Sequence, residues 1–240
     1  MSSTVINSDN LNALIATLSG GNLKKQLQAI HELSTLETVG EQALIDFLTQ
    51  QLIDTPNNPT AIHGSAYQRL YSSTSELAKN FIATQFAGGL LTPVSEQNID
   101  YSELQMLLIQ RDYQAADKLT MQKLCELAGE RAVQRKWVYF TEVSQFSVLD
   151  LRTIDALWRI YSEDKFGWSK QHELWMRLGK DWERLWSQLI WKSEAGAWTR
   201  YPTEFIWDLS APVGHLPLSN QLRGVRMMDS LLSHPAWIQP

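Results

Sequence analysis

Asn220, Arg223 and Arg226 recur at intervals of three at the predicted start of a helix, directly after a long apolar loop. That spacing sets them along one slowly drifting stripe. Guanidinium groups near a helix N-terminus oppose the macrodipole, so helix stability does not account for them. The position suits an incoming anion, which free N–H groups and the dipole favour, and arginine's planar fork fits a carboxylate. The plain alternative is a pair of surface arginines satisfied by Asp or Glu neighbours. The preceding stretch decides against it, because it brings Trp198, Tyr201, Phe205, Ile206, Trp207, Leu216 and Leu218. A loop this long in a helical domain is usually functional or disordered, and its content argues against disorder. Apolar residues followed by arginines describe a site for a large, flat ligand with carboxylates at one edge. A tetrapyrrole meets that description; on these residues alone, so do a flavin and a fatty acid.

Other chemistries fail on spacing. No glycine-rich phosphate loop and no Gly-x-Ser-x-Gly elbow occurs. The five histidines never form a His-x-x-x-His pair, and Met176 stands where a second zinc-protease histidine would follow His172-Glu173. Glu142, Asp155 and Glu204 are scattered carboxylates with no pairing visible in the sequence. His215 could ligate the metal of a bound metalloporphyrin; a local hydrogen bond that fixes its own turn is the preferred reading. No catalytic residue and no protein metal site are expected.

The elements that must position these residues read as helices. Leu23, Leu27, Ile30 and Leu33 share one helical face, as do Leu44, Phe47, Leu48 and Leu52, then Ile62, Ala66 and Leu70. No fixed-length repeat is visible, so residues 1–86 are read as an N-terminal helical bundle rather than a helical-repeat fragment. Paired glycines and a proline make 87–97 the expected boundary. Beyond it, helices are expected over 101–109 and 113–129, from an Asp150 N-cap onward, over 171–178 and 181–190, and from about Asn220 to Leu232. The fold class is all-α, with a second domain at 98–240.

Composition agrees with a globular chain of 240 residues: 44% hydrophobic and 20% charged. A net charge of −5 argues against nucleic acid as partner. The lone Cys125 excludes an internal disulfide and fits a reducing, cytosol-like compartment. All ten tryptophans lie between Trp137 and Trp237, so the two halves answer different demands. A buried indole wants a partner for its N–H, which makes tryptophan costly as plain core filling.

Several runs in this second half resemble the genomes-uncoupled (GUN) family: Phe140-Thr-Glu-Val143, Asp150-Leu-Arg-Thr-Ile-Asp-Ala-Leu-Trp158, Lys165-Phe-Gly-Trp168 and Glu204-Phe-Ile-Trp-Asp-Leu-Ser-Ala-Pro212. So do Gly214-His-Leu-Pro-Leu-Ser-Asn-Gln-Leu-Arg-Gly224 and His234-Pro-Ala-Trp237. Trp168 stands where the family pattern suggests tyrosine. The resemblance implies a cupped helical domain that binds protoporphyrin and magnesium protoporphyrin, requires no cofactor and catalyses nothing. It implies stimulation of magnesium chelatase, through the large porphyrin-handling subunit, at the entry to chlorophyll biosynthesis. Carried over by position, Phe140 and Val143 fall in the pocket wall and Trp198 and Tyr201 on the aromatic approach. Leu216, Leu218, Asn220, Arg223 and Arg226 fall in the covering loop and helix. The N-terminus lacks a transit pattern, which fits a cyanobacterial-type, cytoplasmic member with peripheral association with thylakoid membrane left open. The rival reading is a protein-docking adaptor whose aromatic loop binds a partner helix.

Overall fold

The computed structural model describes residues 8–55, 57–193, 195–218 and 225–238. In the N-terminal part the apolar stripes become helices where caps allow. After α1 (Ser8–Gly20), the Asn22 side chain accepts the Lys25 amide hydrogen at 3.0 Å and starts α2 (Leu23–Leu33). The next helix, α3 (Glu37–Leu48), runs on into a π-helical turn, Thr49–Asp54. At the start of α4 (Ala61–Tyr71) the Thr60 amide donates to Nδ1 of His63 at 3.0 Å, so a histidine plays the part a glutamate takes in a capping box. Ser75 caps α5 (Glu76–Gln85) through the Ala78 amide at 3.2 Å. Each helix packs on its successor, and α1, α2 and α3 also reach α3, α4 and α5 in turn. Leu18, Ile30, Leu33, Leu44, Leu48, Tyr67 and Leu70 form the buried interior.

Two compact units divide the chain, Met1–Leu91 and Thr92–Pro240. The second opens with α6 (Ser102–Ile109) and α7 (Tyr113–Ala128), which pack on each other. Gly129, at φ +95°, ends α7 as a glycine stop should. Two short helices follow that the sequence periodicity does not reveal, α8 (Glu130–Arg135) and α9 (Phe140–Val143). Then come α10 (Val148–Ile160), α11 (Trp168–Arg177), α12 (Trp182–Gln188) and α13 (Val225–Leu232), with a 3₁₀ turn at Pro235–Trp237. The expected start of the last helix near Asn220 lies outside the described residues. No strand occurs among the described residues; an isolated antiparallel bridge joins Lys192 and Trp198. None of the helices searched is long and apolar enough to cross a membrane.

Asp150 is not the N-cap of α10. Ser147 holds that position and accepts the Asp150 amide hydrogen at 3.2 Å. Asp150 itself is buried inside the first turn, where Oδ1 accepts from the Tyr101 hydroxyl at 2.7 Å and Oδ2 from the Glu96 amide at 3.0 Å. Its carboxylate thereby ties the segment before α6 to α10. Toward the other end of α10 lies an aromatic interior. Tyr113 Oη donates to the Tyr161 carbonyl at 2.7 Å, Tyr161 Oη to Gln105 Oε1 at 3.0 Å, and Trp158 Nε1 to Thr120 Oγ1 at 3.0 Å. These buried polar tips are thus satisfied, as a low-dielectric interior requires.

Candidate ligand-binding site

The irregular segment 191–218 is held down from several directions. Near its start the Ser193 and Thr199 amides donate to the carbonyls of Ala197 (2.8 Å) and Trp191 (3.0 Å). Further on, Phe205, Ala211, Leu216 and Leu218 are buried. The Lys165-Phe-Gly-Trp168 motif meets the Gly-His-Leu-Pro motif directly. The Gly214 amide donates to the Lys165 carbonyl at 2.7 Å, and the Gly167 amide to the Leu216 carbonyl at 2.9 Å. Gln171 of α11, wholly buried, donates from Nε2 to the carbonyls of Gly214 (2.9 Å) and Pro217 (2.8 Å). From α7, Asp117 Oδ1 accepts the Leu218 amide at 2.6 Å.

His215 lies at the centre of this packing. Nδ1 faces the Leu189 carbonyl at 2.5 Å, which can only accept, and Nε2 receives the Ile206 amide hydrogen at 3.2 Å. The ring is therefore the neutral Nδ1–H tautomer, with both nitrogens engaged inside the protein, so its role is the local hydrogen bond and not metal ligation. Burial lowers its pKa below 6.5, against a smaller raising effect of the Leu189 carbonyl. His63 and His234 are lowered by burial as well. Each folded pKa lies below its unfolded value, so the unfolded chain binds more protons under acid conditions. The stability these rings support is complete above pH 6.5 and declines as pH falls through that value toward the folded pKa. The raised Asp117 and Asp155 carboxyls act in the opposite direction, so the test is a comparison: between pH 7 and 5.5 the urea midpoint of His215→Asn, whose amide can still donate to Leu189, should change more favourably toward acid than that of the wild type. An equal change in that variant would take His215 out of the account.

The nine sequence-derived site residues fall in distinct places. Phe140, at the start of α9, is 40% exposed. The Arg226 guanidinium of α13 lies 5.5 Å above its ring centre, and α9 packs on α13. Val143, one turn on, is fully buried. Tyr201, 48% exposed, packs edge-on against Phe205 and Trp207 at 6.2 and 5.9 Å. Burial, and then the charge of Asp117, raises its phenol pKa, so Tyr201 shares the neighbourhood of the carboxyl that holds Leu218. Leu216 and Leu218 point inward. Asn220 and Arg223 lie outside the described residues.

Trp198 ends a ladder of indoles. Ring centres are 4.8 Å apart for Trp175–Trp182, 6.1 Å for Trp182–Trp186 and 4.8 Å for Trp186–Trp198. Lys180 lies 5.1 Å over Trp175, and Lys192 lies 5.4 Å from both Trp186 and Trp198 while pairing with Glu183 at 2.7 Å. A second cluster joins α8 to α9: the Arg135 guanidinium stacks 4.3 Å over Tyr139 and 5.1 Å over Trp137, and pairs with Glu142. Sequence reasoning missed this cluster, and also Asp117 and Gln171. The last two had a readable signal. Asp117 interrupts the buried stripe Tyr113–Thr120–Leu124 of α7, and Gln171 interrupts Trp168–Leu174–Trp175 of α11. A polar residue at an apolar position of a helix face marks a buried hydrogen bond to something.

Comparison with known proteins matches this framework. Residues 94–235 fit the family model described as GUN4-like, and residues 2–87 fit an ARM-like repeat domain described as GUN4-N terminal. The chain belongs to the GUN4 family. A "Ycf53-like protein" of Synechocystis is 45% identical over 232 residues, 97% of this chain and 98% of that one. The "Tetrapyrrole-binding protein, chloroplastic" of Arabidopsis thaliana is 36% identical over 145 residues, 57% of this chain and 55% of that one. Among solved structures, GUN4 from Chlamydomonas reinhardtii superposes with a TM-score of 0.58 at 38% identity, covering 62% of this chain and 95% of that one. The GUN4-like match takes in the aromatic segment, the Arg226–Phe140 pair and both anchoring residues. The ARM-like description of the N-terminal match accords with helices that each pack on the next and next-but-one neighbour.

Proposed function

We propose that this GUN4 family member is a non-catalytic porphyrin-binding regulator. In this reading it takes up protoporphyrin and magnesium protoporphyrin and stimulates magnesium chelatase through the large porphyrin-handling subunit. The observation that carries the reading is Arg226 poised over the half-exposed ring of Phe140. An apolar face and a cation side by side are what a macrocycle with propionates needs. Family membership and the tetrapyrrole-binding name of the plant relative support it. Phe140 with Val143 forms the wall, Trp198 and Tyr201 the aromatic approach, and Leu216 and Leu218 belong to the covering loop. Asn220, Arg223 and Arg226 meet the polar edge. No cofactor is required. The same reading has the protein work in the cytoplasm at the entry to chlorophyll biosynthesis, with peripheral access to thylakoid membrane.

A titration of the full chain with protoporphyrin and its magnesium form, followed by the visible absorption band, tests the binding step. Arg226→Ala should weaken the free acid by about 1–3 kcal/mol, the worth of a hydrogen bond to a charged group. Lysine should restore only part of it, and the propionate diester should be nearly indifferent to the change. Phe140→Ala should weaken acid and ester alike through lost burial. Absence of any band shift would instead favour the adaptor that binds a partner helix, and chelatase assays with the added chain test the regulatory step separately.

A further inference from the structure

Asp117 is 5% exposed and, among the described residues, accepts the amide hydrogen of Leu218 at 2.6 Å. Among the described residues no salt bridge reaches it. Several cations of this unit are committed elsewhere. Arg111, after α6, pairs with Glu163; Arg135 of α8 pairs with Glu142; Lys123 of α7 pairs with Glu126; Lys165 donates to the Leu209 carbonyl. Tyr201, from the same segment as Leu218, has its phenol pKa raised by burial and then by the charge of Asp117. Burial, opposed by the Leu218 amide, pushes the Asp117 carboxyl up to about 7. A buried carboxyl with no cation is an expensive way to hold one backbone amide, since an asparagine oxygen accepts the same hydrogen without a charge to desolvate.

The segment it holds is irregular and borders the proposed ligand. Gln171 grips Gly214 and Pro217 from α11, and Asp117 grips Leu218 from α7. Gln171 cannot change charge, whereas Asp117 can. Resting on the porphyrin-binding reading, we propose that Asp117 is a positioning residue of the site, a proton-dependent latch that seats residues 214–218 against α7 and so sets how long a porphyrin stays bound. The neutral carboxyl keeps the latch shut. The ionised one gains by reaching water, which it does only when the segment moves off α7. The sign follows from linkage: a carboxyl whose folded pKa lies above the unfolded 3.8 gives stability that is complete below that value and is lost as pH rises toward 7.

The test uses the full chain as wild type, Asp117→Asn and Asp117→Ala, with folding checked by helicity and urea midpoint at pH 6. Protoporphyrin release from the wild type should quicken by roughly fivefold between pH 6 and 7, by about twofold more to pH 8, and then level off. Asp117→Asn keeps an acceptor for Leu218 and should release slowly at both values, whereas Asp117→Ala should release fast at both. A second readout needs no ligand: amide hydrogen exchange over residues 214–218, divided by that of α10 at the same pH. This ratio should be higher in Asp117→Ala, and should rise from pH 6 to 8 in the wild type but not in Asp117→Asn. An asparagine variant with the wild-type pH profile, or an alanine variant with wild-type protection, overturns the latch. Failure of the wild type to bind porphyrin overturns the ligand reading and the latch's part in holding it, while the exchange experiment still decides whether Asp117 seats the segment.

Discussion

Replacing Trp158 by alanine is expected to lower the unfolding free energy by about 3–5 kcal/mol, the usual cost of emptying a buried aromatic site. Trp158 is fully buried in α10, stacked on Tyr113 at 6.1 Å and set against the Phe166 edge at 6.3 Å. Its indole N–H is satisfied by Thr120, whose hydroxyl donates in turn to the Ala116 carbonyl at 2.8 Å. The alanine variant loses dispersion, burial and one link of that relay together. A domain stable by roughly 5–15 kcal/mol is left close to unfolding by such a loss. Trp158→Phe keeps most of the volume and should cost clearly less, and the difference between the two isolates the cavity from the hydrogen bond. Urea denaturation followed by far-ultraviolet circular dichroism measures both. An alanine variant within about 1 kcal/mol of the wild type would show that α10 can close over the gap, contrary to close packing.

Gly167→Ala should be the next most damaging change, at roughly 3 kcal/mol. Its backbone, φ +132° and ψ +156°, lies in a region open essentially to glycine alone, which costs another residue about 1–3 kcal/mol. A Cβ there would also stand 2.7 Å from Asp155 Oδ1 and 3.1 Å from Arg159 Cγ. Asp155 cannot simply step aside, because its two oxygens accept the Ser169 amide (2.8 Å) and hydroxyl (2.6 Å) at the start of α11. The Gly167 amide meanwhile holds Leu216, so the substitution should loosen the segment that Asp117 and Gln171 grip. Gly214→Ala is milder. Its φ is +81°, an ordinary left-handed value, and the Cβ would meet Leu174 Cδ1 and Leu189 Cδ2 at 3.0 Å, side-chain ends that can shift. Thermal melts of the two variants should rank Gly167→Ala below Gly214→Ala; the reverse order would contradict the clash with Asp155.

What the sequence makes legible follows from the range of each interaction. The apolar faces of α4 and α7 and the Gly129 stop depend on neighbours within one or two turns, and they read correctly from spacing; on α2 only Ile30 and Leu33 of the stripe are buried, while Leu23 in the first turn is exposed. Asp150 misled because Asp favours caps, while its actual partner, Tyr101, stands 49 residues away. The helices α8 and α9 are too short for a period to register. Helical period shows the inner face of each N-terminal helix without saying which neighbours it meets, so bundle and repeat look alike at that level. The site shows the same division. Phe140 and Arg226 are joined through α9 on α13, a pairing that no local rule yields; spacing singled out Arg226, and resemblance to a family added Phe140. His215 is the converse: a single histidine beside a turn, best read as locally bonded, and found so.

The tryptophan ladder has an optical consequence. The rate of dipolar energy transfer between identical chromophores falls with the sixth power of distance, and the ladder's steps are no longer than 6.1 Å. Excitation delivered to any one of Trp175, Trp182, Trp186 and Trp198 is therefore shared among all four before emission. Intrinsic fluorescence from this part of the chain is the output of a coupled antenna rather than a sum of independent lamps. A quencher arriving beside Trp198 darkens indoles as distant as Trp175, which it never touches. The depth of quenching in a titration thus exceeds the share of tryptophans at the contact, and its early loss of polarisation would be the signature.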